Sequence, residues 1–349
     1  MTMLADRIDA VIGVDTHTDT HTAAICDARG GVLEVVRVPA DEDGYGQLLD
    51  AVLTHAGGPA VAWAIEGTGS YGGGLTEALH GWDQEVIEVR AAARPRGQGK
   101  NDRADAVAIA RAALGETKPS APRRGDTREA LRLLTVTRTA DVATRTRLTN
   151  ALKAIVLTAP APIRERLRAL STTAQVKAAA AVRGPRGADQ RTATCVRVLR
   201  ATAAQIRALD AAIAAADRDL DRLTRAHAAP LRAEFGIGPV GAAQILITWS
   251  HPDRFRSEAA FAAIAGTSPL EASSGRTTRH RLNRTGDRQL NAALHRVMLT
   301  RRAHHHPETV SYIGRRTCEG KTDREINRCL KRALARRLFR LLQTMPALP

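Results

Sequence analysis

Aromatic residues are scarce in this chain: tryptophan, tyrosine and phenylalanine together make up 3% of its 349 residues. Recognition by stacking bases on aromatic side chains is therefore a poor fit. Its 4 cysteines, Cys26, Cys195, Cys318 and Cys329, are widely spaced and form no CxxC pair. That argues against a zinc knuckle or a disulfide framework and for a reducing compartment. No run of about 18 apolar residues is present, so no segment reads as a membrane span. The first residues, MTMLADRIDAV, lack the pattern of a secretory signal. A soluble, cytoplasmic protein is expected. Acidic side chains are outnumbered: 36 Asp and Glu face 52 Lys and Arg, for a formal net charge of +16. A clustered cationic excess favours a polyanionic partner, nucleic acid first, held through its backbone phosphates.

Against that basic background, four carboxylates stand out. Asp15 ends the apolar run Val11-Ile12-Gly13-Val14, and Glu66 ends the run Val61-Ala62-Trp63-Ala64-Ile65. A strand that stops at an acid sets that acid at the edge of a sheet, facing a cleft. Asp102 and Asp105 open an alanine-rich helix, and their i, i+3 spacing puts both on one helical face. Oxygen ligands of this kind suit Mg²⁺ or Mn²⁺, the ions that clamp the attacking and leaving oxygens of a phosphodiester. The acids are embedded in Arg96-Gly97-Gln98-Gly99-Lys100-Asn101-Asp102-Arg103-Ala104-Asp105, where basic neighbours are their simplest alternative partners.

The pattern along the chain is α/β first and all-α afterwards. Residues 10–14, 22–26, 32–38, 61–65 and 85–89 read as strands, with Arg29-Gly30-Gly31 as a hairpin turn. Residues 45–56, 75–79 and 102–114 read as helices, which predicts a mixed sheet covered by helices. A helix near 129–157 stops at Thr158-Ala159-Pro160-Ala161-Pro162, and Arg183-Gly184-Pro185-Arg186-Gly187 marks a second break. Ile206, Leu209, Ile213, Ala216, Leu220 and Leu223 follow coiled-coil spacing over less than three heptads. An antiparallel hairpin within one chain and a dimer zipper fit that seam equally well. Three regions result: 8–118, a helical or coiled-coil connector at 119–230, and 231–349.

Four further segments invite functional readings. The turn Gly67-Thr68-Gly69-Ser70-Tyr71-Gly72-Gly73-Gly74 lacks the lysine of a phosphate loop and reads better as a tight strand-to-helix turn beside the acids. Phe235-Gly236-Ile237-Gly238-Pro239-Val240-Gly241 fits a helix-hairpin-helix element offering backbone N–H groups to phosphates, and equally a plain helical corner. The loop from Gly266 to Arg284 holds Ser273-Ser274-Gly275 followed by Arg276, Arg279, Arg281 and Arg284. It can present a hydroxyl to a phosphate, although simple DNA-backbone binding is the plainer chemistry. The last helical stretch carries Arg324, Arg328, Lys331, Arg332, Arg336, Arg337 and Arg340 opposite Ile326, Leu330, Leu334, Leu338 and Leu341, which favours nucleic-acid contact. His304-His305-His306 do not share a helical face, so a metal site there is disfavoured.

Taken together, GVDTHTDTH, AIEGTGSYGGGL and RGQGKNDRADAVAIARA at the start resemble the DEDD-type insertion-sequence transposases, the family that includes the Piv/MooV DNA invertases. So do FGIGPVGAAQIL, the stretch from RFRSEAAF to NAALH and EGKTDREINRCLKRALARRLFRLL near the end. The resemblance spans nearly the whole chain. It implies a RuvC-like (RNase H-type) domain at 8–118 whose Asp15, Glu66, Asp102 and Asp105 hold Mg²⁺ or Mn²⁺. It also implies a helical connector and a mainly helical C-terminal transposase domain whose serine nucleophile matches Ser274, with Ser273 beside it. The implied chemistry is cutting and rejoining of DNA at a composite site built by two protomers, in a dimer or tetramer. A noncoding bridge RNA is the implied guide to donor and target, with sequence choice left to base pairing as in other RNA-guided systems. Lys100, Arg276, Arg279, Arg281, Arg284, Arg328, Lys331 and Arg332 are the expected nucleic-acid contacts, in a bacterial cytoplasm or on its nucleoid. Arg90-Ala91-Ala92-Ala93-Arg94-Pro95 departs from the family in lacking an Asn-Pro before the acid pair.

Three other readings compete. A RuvC-like junction-resolving or structure-selective nuclease would use the acids alone and form no covalent intermediate. A non-catalytic binding protein would not need Asp102 at all. An actin-like sugar kinase has a first phosphate loop resembling GVDTHT, but a second DxGGT-type loop is missing and the last third is basic.

Overall fold

The computed structural model describes residues 2–89, 101–123, 125–252, 254–272, 280–281, 283 and 285–349. The chain divides into two compact units, Met1–Arg124 with Trp249–Ala260, and Gly125–Thr248 with Phe261–Pro349.

The first unit is built on a five-stranded sheet. Its elements run β1 (Ala10–Thr16), β2 (Thr20–Asp27), β3 (Val32–Pro39), α1 (Glu42–His55), β4 (Val61–Glu66), α2 (Gly73–Gly81), β5 (Glu85–Val89) and α3 (Asp102–Leu114). The strand order is β3-β2-β1-β4-β5. The first three strands form an antiparallel meander, whereas β4 and β5 run parallel to β1. Three hairpin-linked strands followed by βαβ crossovers give a mixed sheet with helices on both faces, which is the RNase H-like arrangement.

Alternation along the strands sorts the side chains between two cores. Ile12, Val14, Ala23, Ile25, Trp63 and Ile65 pack with Leu48 and Val52 of α1 and Leu75 and Leu79 of α2. Val11, Ala24, Cys26, Ala62 and Ala64 pack with Ala106, Ile109, Ala110 and Ala113 of α3. The second face is lined with alanines because α3 lies very close to it. A Cβ built on Gly13 would meet the Ala106 carbonyl oxygen at 2.2 Å and the Ala110 nitrogen at 2.4 Å. Only glycine at this point of β1 allows that approach, and it fixes where α3 begins relative to the strand ends.

The second unit is mainly helical. It comprises α4 (Asp126–Thr158), α5 (Ala161–Leu167), α6 (Thr172–Ala180), α7 (Gln190–His227), α8 (Ala229–Ala233), α9 (Pro239–Trp249) up to Thr248, α10 (Glu258–Ile264) from Phe261 on, the two-residue strands β6 (Leu270–Glu271) and β7 (His280–Arg281), α11 (Arg288–Ala303), α12 (Pro307–Cys318) and α13 (Asp323–Gln343). The seam on α7 resolves as a hairpin within the chain. Arg138 and Arg145 of α4 bond Asp217 and Asp210 of α7, an order that requires antiparallel helices. Ile206 and Leu220 are fully buried in that seam. Proline ends α4 where expected, with Pro160 capping α5. Among the described residues, no helix is long and apolar enough to cross a membrane.

Candidate metal centre and DNA-processing site

β1 and β4 are parallel neighbours, with Val14 opposite Ile65, so the acid after each run emerges at the same sheet edge. That carboxyl end is where α/β sheets bind ligands. Asp15 shares its parity with Val11, and Glu66 with Ala62 and Ala64, so both belong to the α3 face of the sheet. The Thr16 hydroxyl donates to the Glu66 carbonyl at 2.9 Å and ties the two strand ends together. Gly67, at φ +74°, then turns the chain back, and its carbonyl accepts from Ser70 and Gly72 before α2 starts. The glycine-rich segment is thus the tight turn its sequence predicted.

From the other side, α3 delivers Asp102. Asn101 caps this helix, its side chain accepting from the backbone N–H groups of Arg103 and Ala104. Asp102 and Asp105 occupy the first turn, where the helix dipole favours negative charge. Because α3 is seated on Gly13, its N-terminus meets the end of β1. His17 completes the cluster: its Nε2 lies 3.4 Å from Asp15 and 3.3 Å from Asp102. The candidate ligand atoms of Asp15, His17 and Asp102 all lie within 4.8 Å of one another. Glu66 and Asp105 are outside that trio; Glu66 follows Ile65 on the adjacent strand, and Asp105 lies one turn further along α3.

The sequence reading missed His17. Its signal was present: in Asp15-Thr16-His17 the histidine lies two residues beyond the acid, so strand alternation carried one step past Thr16 sets both on one face. The other histidine of the motif, His21, goes elsewhere. It lies opposite Thr16, fully buried, stacked on Tyr45 at 5.8 Å. It sits in the core of the α1–α2 face, where burial pushes its pKa down.

A second feature of this unit was also unforeseen. Glu88 of β5 is held between Arg123 at 3.1 Å and Arg254 at 3.0 Å. Burial tends to raise its pKa, but Arg254 and Arg123 prevail and hold the carboxyl below its ordinary range. Arg254 also lies over the Phe255 ring, 4.8 Å from its centroid. His251 Nε2 lies 3.1 Å from the Pro122 carbonyl. The segment Trp249–Ala260 is therefore stitched into the sheet unit by ions and hydrogen bonds, despite its distance along the chain.

The remaining expected residues are distributed as follows. Lys100, Ser273, Ser274, Arg276, Arg279 and Arg284 lie outside the described residues. The two serines fall, in sequence, between β6 and β7, which pair antiparallel as Leu270 with Arg281 and Glu271 with His280. Arg281 is exposed on β7, and Arg328 of α13 donates to the His280 carbonyl at 3.2 Å. On α13, Ile326, Leu330, Leu334 and Leu338 are buried as the apolar stripe predicted. The opposite face is not uniformly solvated: Lys331 is 8% exposed, and Arg337 bonds Glu234 and Glu308. The glycine-rich turn before α9 is a corner of short α8 and longer α9, with the Phe235 and Ile237 carbonyls taken up by Arg301 and Arg232. His304 and His306 pack against Phe235.

Comparison with known families bears directly on this geometry. Residues 12–160 match a DEDD-type IS110 family model described as a transposase, and residues 228–313 match one described as "Transposase IS116/IS110/IS902 family". The chain belongs to the IS110 transposase family. Transposases of this family cleave DNA and transfer its strands. No curated protein matches the chain in sequence. A DEDD nuclease domain implies a divalent metal. The trio fits one: two hard carboxylates and an imidazole at the mouth of a sheet are a suitable donor set for such an ion.

Proposed function

We propose that this transposase cuts and rejoins DNA at a composite site. In it Asp15, Glu66, Asp102 and Asp105 hold Mg²⁺ or Mn²⁺, and Ser274, or Ser273 beside it, is the nucleophile. The observation that carries this reading is the convergence of Asp15, His17 and Asp102 at the carboxyl ends of parallel strands, with Glu66 ending the neighbouring one. When bound, the divalent ion neutralises phosphate charge and polarises the reacting oxygens. Asp15 and Asp102 fix its place because strand β1 and helix α3 are locked together at Gly13. The serine oxygen bonds to phosphorus and loses its proton, one P–O ester bond breaks, and the departing sugar oxygen takes a proton. An incoming DNA hydroxyl then bonds to phosphorus and loses its proton, the serine O–P bond breaks, the serine oxygen takes a proton, and the strand is resealed.

The basic residues Lys100, Arg276, Arg279, Arg281, Arg284, Arg328, Lys331 and Arg332 hold DNA backbone in this reading. A noncoding bridge RNA selects the donor and target by base pairing, and a dimer or tetramer assembles both halves of the site. The domain division at 8–118, 119–230 and 231–349 belongs to the same proposal, as does a cytoplasmic, nucleoid-associated location. The net charge of +16 supports a backbone-binding protein of this kind.

An adduct assay tests the proposal. Protein, Mg²⁺, RNA transcribed from the flank of the gene and labelled element-junction DNA are combined and resolved on a denaturing gel. A protein–DNA band that disappears in Ser274→Ala and in Asp102→Ala is the expected result. Cut DNA without any adduct would overturn the serine step and leave a hydrolytic RuvC-like nuclease.

A further inference from the structure

Lys331 of α13 is a buried cation without a counter-ion among the described residues. It is 8% exposed, and among the described residues no carboxylate lies within ion-pair distance of its ammonium group. Its hydrogen bond goes to the Asn291 side-chain oxygen at 3.0 Å. That amide is held in place by its own nitrogen, which donates to the Ala265 and Gly266 carbonyls at 2.7 and 3.2 Å. One proton of the ammonium is thus satisfied, and two have no protein acceptor among the described residues. A buried charge of this kind is costly unless something else neutralises it.

The cation lines an open cleft of about 630 Å³ whose wall also includes Gly266, Asn283, Arg288, Asn291 and His295. The cleft is a built feature. Gly286, at φ +99°, lies so close to the preceding helix that a Cβ would meet the Ile264 carbonyl at 2.4 Å, and the Asp287 N–H donates to the same oxygen. Asp287, the acid of the lining, is already engaged. It caps α11 through the N–H groups of Gln289 and Leu290 and accepts from Thr248 at 2.6 Å. What remains for a ligand is cationic: Lys331 and the exposed Arg288, with the His295 imidazole beside them. Burial pushes the Lys331 pKa down. Burial and then the lysine charge push that of His295 down, which places the ring near the ammonium.

We propose that this cleft is a subsite for a DNA backbone phosphate, whose oxygens take the free protons of Lys331 and the guanidinium of Arg288. An anion there neutralises the buried charge, and the cleft volume admits a sugar–phosphate unit. Asn283 reaches the lining two residues after β7, so the subsite adjoins in sequence the segment that holds Ser273 and Ser274. The choice of DNA over other phosphates rests on the transposase reading above.

The test uses the full chain carrying Asp102→Ala, so that binding is read without cleavage. Affinity for labelled element-junction duplex is measured by fluorescence anisotropy across a salt series. Lys331→Met is expected to weaken binding about tenfold and to lower the salt slope by about one, as loss of a phosphate contact does. Lys331→Arg should retain most of the affinity. Arg288→Gln, an exposed change that leaves the fold intact, should give a smaller loss of the same kind. Unchanged affinity and slope in both Arg288→Gln and Lys331→Met would overturn the subsite. A loss confined to a single-stranded RNA probe, with duplex binding intact, would overturn it as a DNA site. Because the readout is binding, it stands apart from the adduct assay. A failed serine step with a preserved Lys331 effect would sink the nucleophile and keep the phosphate subsite.

Discussion

The acid cluster at the ends of β1 and β4 and the cationic cleft between α11 and α13 are opposite in charge and also in construction. The first gathers carboxylates in a protein with a net charge of +16, and it does so with short, regular means. Two parallel strands end side by side, alternation aims their acids to one face, and a helix seated on Gly13 brings a third. The second leaves a lysine buried with an amide for company, and its lining comes from residues spread between Gly266 and Lys331. The first brings acids together, and the second brings cations together. In the readings proposed above, the first takes a divalent cation and the second a backbone phosphate.

The comparison breaks most sharply at the acids. Asp15→Ala and Asp102→Ala should each abolish DNA cleavage while leaving duplex binding in place, read by gel cleavage and anisotropy on the same preparations. Retained cleavage in either would remove the metal assignment. Next comes Gly13→Ala, which tests whether the site depends on the helix seating. The added methyl meets backbone atoms of α3 that cannot rotate away, so a loss of about 2–3 kcal/mol in unfolding free energy is expected. Metal-dependent cleavage should fall with it; full activity and stability together would show that α3 need not sit where it does.

A smaller effect is expected at the Glu88 clamp. Arg254→Ala leaves a mostly buried carboxylate with Arg123 alone, a loss of roughly 1–3 kcal/mol at neutral pH. The pH dependence has a definite sign. Glu88 is held below its ordinary value in the folded protein, so its ionised form stabilises the fold above the ordinary carboxylate range. That contribution disappears as pH falls through the folded value. The stability gap between the parent chain and Arg254→Ala should therefore narrow on acidification, as read by denaturant midpoints from pH 7 downward. A gap that widens would contradict the clamp. The mildest change is Asp217→Asn on the α4–α7 hairpin, where a partly exposed ion pair with Arg138 should contribute less than about 1 kcal/mol. A much larger loss would make that hairpin far more dependent on its ion pairs than on its apolar seam.

Much of the fold is legible in the sequence. All five strands of the sheet, the Asp102–Leu114 helix and the proline break after α4 were readable from runs, alternation and breakers. Asp15 and Glu66 were readable as strand-terminal acids for the same reason. His17 was not singled out, because a histidine after a strand carries meaning only once the opposing helix supplies Asp102. The Glu88–Arg123–Arg254 clamp was invisible, since it joins residues far apart in sequence and charge patterns do not reveal which arginine meets which acid. On α13 the apolar stripe was correct from Ile326 to Leu338, with Leu342 and not Leu341 buried at its end, but the fate of its cations was not uniform. Helical periodicity shows which side is polar; it does not show that Lys331 is enclosed and Arg337 is paired with Glu234 and Glu308.

The sequence by itself determined the elements and the kind of chemistry: hydrophobic periodicity sets strand and helix, and side-chain type sets what each position is able to bind. It left the α7 seam equally open to a hairpin and a zipper, because a few heptads specify an apolar stripe and not the stripe that covers it. Only the tertiary structure decided that α4 covers it, that Gly13 gives α3 its seat, and that a lysine lies buried with no carboxylate beside it among the described residues. Those outcomes depend on close packing between distant segments, and packing selects partners by shape and distance that no local pattern encodes.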